Sequence, residues 1–354
     1  MDTTGLVFCA GPAGGCDDFR VGGATVDYDA VTGKWRMWYY CRDRNFDGPP
    51  MFGTGRIGLA ISTDGVQWVR VQGDAPLGSV FAPSDQFGDF DSLHVGLTDV
   101  TRDAGGWLMW YFGGSHEQRT SLSLAIGTVA GLGLRCGVAR STDGITWERL
   151  RGNEPSGALF DYASDTLYAG WPNAFWDGVR YVLQYTAPEL DISHYATQVM
   201  TSVDAINWLP AGEIRWAGEL REYEKEGIVT RQVLQNPLPG GRRFLMIYTA
   251  LDGHHARSIA AADSDDGLLW HQLYDEPIFR VGTKGAWDDL GVAANRLVVA
   301  GGQLYFYYYG FQTLANEEGM RGIGLATCPI GDLRSLERYA ITKSQFAAGS
   351  RKSS

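Results

Sequence analysis

Hydrophobic and polar positions alternate along most of this chain in short runs, and one order of runs keeps returning. The apolar stretch WRMWYY (Trp35–Tyr40) is followed, after a linker, by RIGLAISTDGVQW (Arg56–Trp68). A two-residue period bounded by turn residues predicts strands, and Asp-Gly before Trp68 predicts a tight hairpin. The same pair recurs as WLMWYF (Trp107–Phe112) with CGVARSTDGITWERL (Cys136–Leu150), and as VRYVLQYT (Val179–Thr186) with TQVMTSVDAINW (Thr197–Trp208). It returns as RRFLMIYT (Arg242–Thr249) with RSIAAADSDDGLLW (Arg257–Trp270), and as QLYFYYYG (Gln303–Gly310) with RGIGLATCPIGDL (Arg321–Leu333), where the Asp-Gly hairpin has degenerated. No helix longer than a turn or two is needed.

Taking Tyr39, Tyr111, Tyr185, Tyr248 and Tyr308 as equivalent, the units are 72, 74, 63 and 60 residues apart. Five units of four short antiparallel strands predict an all-β fold, a five-bladed β-propeller, in which radial closure removes exposed sheet edges. The alternative is a β-sandwich or two unrelated β domains, whose strands do not normally repeat a motif of this length. The blades are expected at about 17–72, 88–151, 164–212, 224–275 and 286–345, forming one domain over 1–346, with a small, polar, disordered tail at 347–354. LVFC within residues 1–16 is a candidate strand to close the last blade. Innermost strands are expected at Arg20–Asp29, His94–Val100, near Tyr168–Trp176, at Val229–Asn236 and within Lys284–Val299. Two long insertions stand out, Cys41–Gly55 and Gly113–Arg135; loops of that length are functional or mobile.

Composition narrows the function classes. With 44% hydrophobic residues the chain can bury a sizeable core, and many of its 12 Trp and 17 Tyr fall inside the repeat. A net charge of −11 argues against a nucleic-acid partner. The five cysteines are scattered without metal-type spacing and read as free thiols of a reducing compartment. No secretory signal and no membrane span is visible, so the expected location is cytoplasmic. Oligomeric state is left open.

An acidic residue precedes each predicted inner strand: Asp18, Asp91, Asp165, Glu226 and Asp289, each 19 to 22 residues before the aligned tyrosine. In a propeller these positions ring one funnel. Crowded acids split their pKa values, and that split suits glycosidic-bond cleavage by one protonated acid and one carboxylate. The competing reading is that each acid only caps a turn. Near the same mouth stand Arg20, Arg42, Arg44, His94 and Arg231. Arginines there suit an anionic group, or else form internal salt bridges with nearby aspartates. Tyr168 and Trp171 suit stacking on a sugar ring or core packing. His254 and His255 read as surface loop residues. A channel cation such as calcium is compatible with the acid density, but nothing fixes its ligands, so no metal or cofactor is expected.

The apolar-Met-Trp-Tyr run with Ile-Gly-x-Ala-x-Ser-Thr-Asp-Gly-x-x-Trp resembles the five-bladed propeller glycoside hydrolases. These comprise the family 43 arabinanases and xylosidases, the family 32 and 68 fructan enzymes and the family 130 mannoside phosphorylases. The resemblance spans essentially the whole chain. By position it implies Asp18 as base, Asp165 as pKa modulator and Glu226, followed by Gly227, as acid. Around them Arg20, Arg42, Asp91, His94, Tyr168, Trp171, Arg231 and Asp289 would bind substrate. The sequence reads CDDFRVGG where family 43 has Arg-Asp-Pro, so Asp17 competes with Asp18, and Glu224 with Glu226. The family 32 motifs are missing, which disfavours a fructosidase. The implied function is glycoside hydrolysis of a small sugar conjugate or oligosaccharide. Phosphorolysis, or a non-hydrolytic sugar-binding or tailoring role in the same pocket, is the alternative.

Overall fold

The computed structural model describes residues 2–45, 55–121, 127–192, 194–313 and 319–340. The expected tail at 347–354 and the end of the last blade lie outside these residues, as do parts of both insertions. The fold is all-β, and among the described residues helix is confined to three-residue 3-10 turns at Pro76–Gly78, Glu222–Glu224 and Leu333–Ser335. Among the described residues no helix is long and apolar enough to cross a membrane.

The strands form antiparallel meanders in chain order. The first comprises Arg20–Asp29, Lys34–Arg42, Arg56–Ser62 and Val69–Val71; the second His94–Asp103, Gly106–Gly114, Arg135–Ser141 and Glu148–Leu150. The third runs through Gly170–Trp176, Tyr181–Pro188, Tyr195–Ser202 and Leu209–Glu213. The fourth runs through Gly227–Gln235, Phe244–Leu251, Arg257–Ser264 and Leu269–Gln272, and a parallel bridge from Tyr195 to Gly227 joins these two into one sheet. The last has Gly291–Ala300, Gln303–Phe311 and Arg321–Pro329, and its outer neighbour is Leu6–Cys9 from the other end of the chain. The first strand of each meander packs against the first strand of the next, and Gly291–Ala300 packs against Arg20–Asp29.

The repeated Ser-x-Asp-Gly turn has a local cause. Ser62 Oγ accepts the amides of Asp64 and Gly65, while Asp64 Oδ1 accepts those of Val66 and Gln67. Gly65 sits at a φ of +73°, which explains the glycine. Ser141 with Asp143 and Ser264 with Asp266 repeat the arrangement; in the third unit Ala205 takes the left-handed position at a φ of +66°. These turns also fasten neighbouring units. Trp38 Nε1 donates to Gly144 O, Gln184 Nε2 to Gly267 O and the Tyr307 hydroxyl to Gly65 O.

Apolar residues collect between units rather than within them. Trp38 and Ile57 meet Met109 and Tyr111; Trp110 meets Leu183 and Met200; Phe175 and Val182 meet Phe244 and Trp270. Ile247 and Ile259 meet Phe306 and Tyr308, and Tyr307 and Ile323 meet Trp35 and Tyr39. Each fully buried aromatic of this kind contributes about 2–3 kcal/mol relative to exposure.

Candidate functional site

All the inner strands are irregular at the same level. Pairing register shifts between Val21 and Ala24, Leu97 and Asp99, Gly170 and Asn173, Ile228 and Arg231, and Ala294 and Arg296. A β-bulge turns backbone and side chains out of the ladder and is common beside active sites. Here the bulged residues Gly22, Gly23, Thr98, Trp171, Thr230 and Asn295 face a cavity of about 360 Å³.

Immediately past the bulges the strands are locked together. Asp99, 2% exposed, accepts Thr25 Oγ1 at 3.2 Å, Asn173 Nδ2 at 2.6 Å and Arg296 Nη1 at 2.6 Å. Asn173 Oδ1 in turn accepts the amide of Val233 at 2.9 Å. All the inner strands thus enter one buried network, a rigid base for the cavity.

The walls are aromatic and cationic. Trp171 adopts a φ of +51°, an unusual backbone for a bulky side chain, and its ring lies 5.0 Å from Phe112 and 5.5 Å from Tyr168. Tyr40, Tyr195 and Tyr309 add phenols. Four lining residues are arginines: Arg20, Arg42, Arg231 and Arg257. Burial, with Arg321 and Arg42 nearby, pulls Arg20 down to about 10, and burial pulls Arg231 down to about 9. Burial also lowers Arg257, which stands among the phenols of Tyr309, Tyr195 and Tyr168. Arg231 donates to Thr186 Oγ1 and to Trp171 O, yet its Nε and that of Arg20 are buried with no hydrogen-bond partner.

His94 is 3% exposed, and burial lowers its pKa to about 4. The ring is therefore neutral near pH 7. Its Nε2 lies 2.9 Å from Gly131 O, so Nε2 carries the proton and Nδ1 is the bare nitrogen.

Of the residues singled out in the sequence, Arg20, Arg42, His94, Tyr168, Trp171 and Arg231 line the cavity. The carboxylates do not, which corrects the expectation that they ring it. Asp18 accepts the amides of Gly14 and Arg44, each at 2.9 Å, and so fastens two loops. Asp165 is solvent-exposed in a turn. Glu226 is 2.6 Å from His255 Nδ1, and its backbone carbonyl accepts the amide of Tyr195, a cavity residue. Asp289 caps the amide of Gly285 at 2.7 Å. Asp91 is fully buried, accepting the Tyr111 hydroxyl at 3.0 Å and Arg149 Nε at 2.8 Å.

The Asp91 arrangement is itself repeated. Asp17 accepts Tyr39 and Arg70, Asp288 accepts Tyr308 and Arg338, and Glu224 accepts Tyr248 and Gln272. Arg70, Arg149 and Arg338 each also lie over a phenylalanine, Phe8, Phe81 and Phe279. The regular spacing of acid to tyrosine thus includes a structural clamp inside each of these units. Among the described residues no group of three or more His, Cys, Asp or Glu converges as a metal site.

The sequence reading missed Arg257, Tyr195, Tyr309, Tyr40 and Phe112. A signal existed for several of them. An arginine opens the third strand at Arg56, Arg135, Arg257 and Arg321, and the residue after the aligned tyrosine (Tyr40, Phe112, Tyr309) points the opposite way from it, toward the cavity.

No protein-family model and no curated protein matches this chain. Solved structures match over nearly its whole length. A complex of BT0996 with RGII is 19% identical with a TM-score of 0.61, covering 96% of this chain and 95% of that protein. An N-acetylgalactosamine deacetylase from F. plautii, in complex with blood group B trisaccharide, is 16% identical with a TM-score of 0.61, covering 94% and 96%. A structure described with the GH130 family of mannoside phosphorylases, as containing glycoside hydrolases that target β-1,2 mannosidic linkages in Candida mannan, is 16% identical with a TM-score of 0.58, covering 90% and 88%. The chain has the fold of the glycoside hydrolase-type propellers.

Proposed function

We propose that the chain is a five-bladed β-propeller that receives a sugar in its central cavity. Closure into five blades is supported by the inner strands packing each on the next and the last on the first. The observation that carries the sugar reading is the meeting of bulges from every inner strand at a single cavity walled by Trp171, Tyr168, Tyr195 and Tyr309 with arginines between them. Aromatic faces pack on the apolar face of a pyranose, and guanidinium and phenol groups bond its oxygens. The glycan complexes described for two proteins of this fold support a carbohydrate as the ligand. Fold alone does not fix a reaction, and these neighbours include a deacetylase alongside glycoside hydrolases.

Glycosidic-bond cleavage is a second reading, favoured by Glu226. This carboxylate adjoins the wall through Tyr195, whose phenol is raised by burial against the opposing pull of Arg257, with the Glu226 charge adding a smaller rise. Phosphorolysis is tested in the same experiment. A glycan-binding screen is run beside chromogenic glycosides, with and without inorganic phosphate. Retention of at least one glycan, lost in Trp171→Ala, is expected. If no glycan is retained, the sugar reading fails. Turnover that disappears in Glu226→Gln assigns hydrolysis; turnover only with phosphate assigns phosphorolysis; binding without turnover leaves recognition alone.

A further inference from the structure

We propose that the sugar held in this cavity carries its own negative charge, a ring carboxylate of the uronic-acid type, seated on Arg20, Arg231 and Arg257. The inference rests on the sugar reading above and names the class of sugar.

Three observations converge. First, the cavity concentrates positive charge in a chain whose net charge is −11. Second, these arginines are not consumed by internal ion pairs. Several arginines elsewhere are committed to acids: Arg56 to Asp43, Arg70 to Asp17, Arg149 to Asp91, Arg296 to Asp99. Arg20 and Arg257 instead lie over the rings of Phe19 and Phe311, and among the described residues neither forms an ion pair. Arg20 is 8% exposed and Arg231 2%, and each leaves its Nε unsatisfied. Buried guanidinium groups without an anion are costly, and a bound carboxylate would discharge that cost with paired hydrogen bonds. Third, charge and ring platform share one space. Arg231 bonds the carbonyl of Trp171, and Arg257 stands among the phenols of Tyr168, Tyr195 and Tyr309. Within about 360 Å³ the anion and the sugar ring must belong to one ligand or touch each other.

The test is a titration of the full chain with D-galacturonate and D-glucuronate against D-galactose and D-glucose, beside an array of acidic and neutral glycans. At least one acidic sugar is expected to bind about tenfold or more tightly than its neutral counterpart. That preference should shrink as NaCl is raised, while neutral binding stays constant. Arg257→Gln, at a partly exposed position, should abolish the preference at an unchanged unfolding midpoint, and Arg257→Lys should restore part of it. The salt series on the unmodified chain decides the matter independently of how the variants fold. Equal affinity for acidic and neutral sugars overturns the charge assignment and leaves the sugar reading intact. Failure of every glycan overturns both. Inorganic phosphate that competes with the uronate supports the shared oxyanion seat; phosphate that binds where no acidic sugar is preferred overturns the proposal.

Discussion

Asp99 and Arg296 form a 2.6 Å ion pair between the second and last inner strands, and the carboxylate is 2% exposed. Thr25 and Asn173 complete its coordination from two further strands. Removing one partner of a buried pair strands the other charge. Arg296→Ala is expected to lower stability by about 3–5 kcal/mol, read from the denaturant midpoint. The double replacement Asp99→Asn with Arg296→Met should cost less than either charge-stranding single change, which a double-mutant cycle will reveal.

The clamp of Asp91, Tyr111 and Arg149 is structural, so stability and ligand binding should separate there. Tyr111→Phe removes one hydrogen bond inside the second unit and is expected to cost about 1–2 kcal/mol. Sugar affinity should stay within about twofold. A selective loss of binding at unchanged stability would place Asp91 at the site after all.

That clamp also explains what was legible in the sequence. Fold signals repeat, because three units share the Ser-x-Asp-Gly turn and all five the aligned tyrosine, so their period is visible without coordinates. The acid spacing was equally visible, but its cause was not. Asp17, Asp91, Glu224 and Asp288, 20 to 24 residues before the aligned tyrosines, are held by those tyrosines, so an acid recurs near that place for packing reasons. The cavity, by contrast, is built from bulges, which leave no fixed residue type. Gly23, Thr98, Trp171, Thr230 and Asn295 occupy comparable places without sharing one residue type. Arg20, His94 and Arg231 were found because they stand near the strand starts, whereas Arg257 lies at the head of a third strand and was hidden in the repeat.

Trp171 combines a left-handed φ of +51° with a stacking role. Trp171→Gly relieves the backbone and removes the ring. Stability is expected to change by less than about 1–2 kcal/mol, since relief and lost packing oppose each other. Affinity for the bound glycan should fall about tenfold or more by calorimetry. Unchanged affinity would remove Trp171 from the ligand platform.

His94 gives the fold a pH dependence of known sign. Its folded pKa of about 4 lies below the usual value of 6.5, so the unfolded chain binds the proton more readily between those values. The stabilising contribution of the neutral ring is complete above about pH 6.5 and is lost as pH falls toward 4. The expected size is on the order of 3 kcal/mol. Denaturation series from pH 7 to pH 4 on the native chain and on His94→Gln should differ by a slope confined to that window; parallel curves would contradict it.

Leu6–Cys9 lies beside Arg321–Pro329, so a segment made early in synthesis completes a sheet whose other members arrive late. A hydrophobic tetrapeptide must therefore be held in reserve while the intervening units are made. Contacts this distant in sequence slow folding and prolong the life of an open edge. The seam is thus where a chaperone has most to guard and where a designed linker, tethering the two segments, would quicken assembly most.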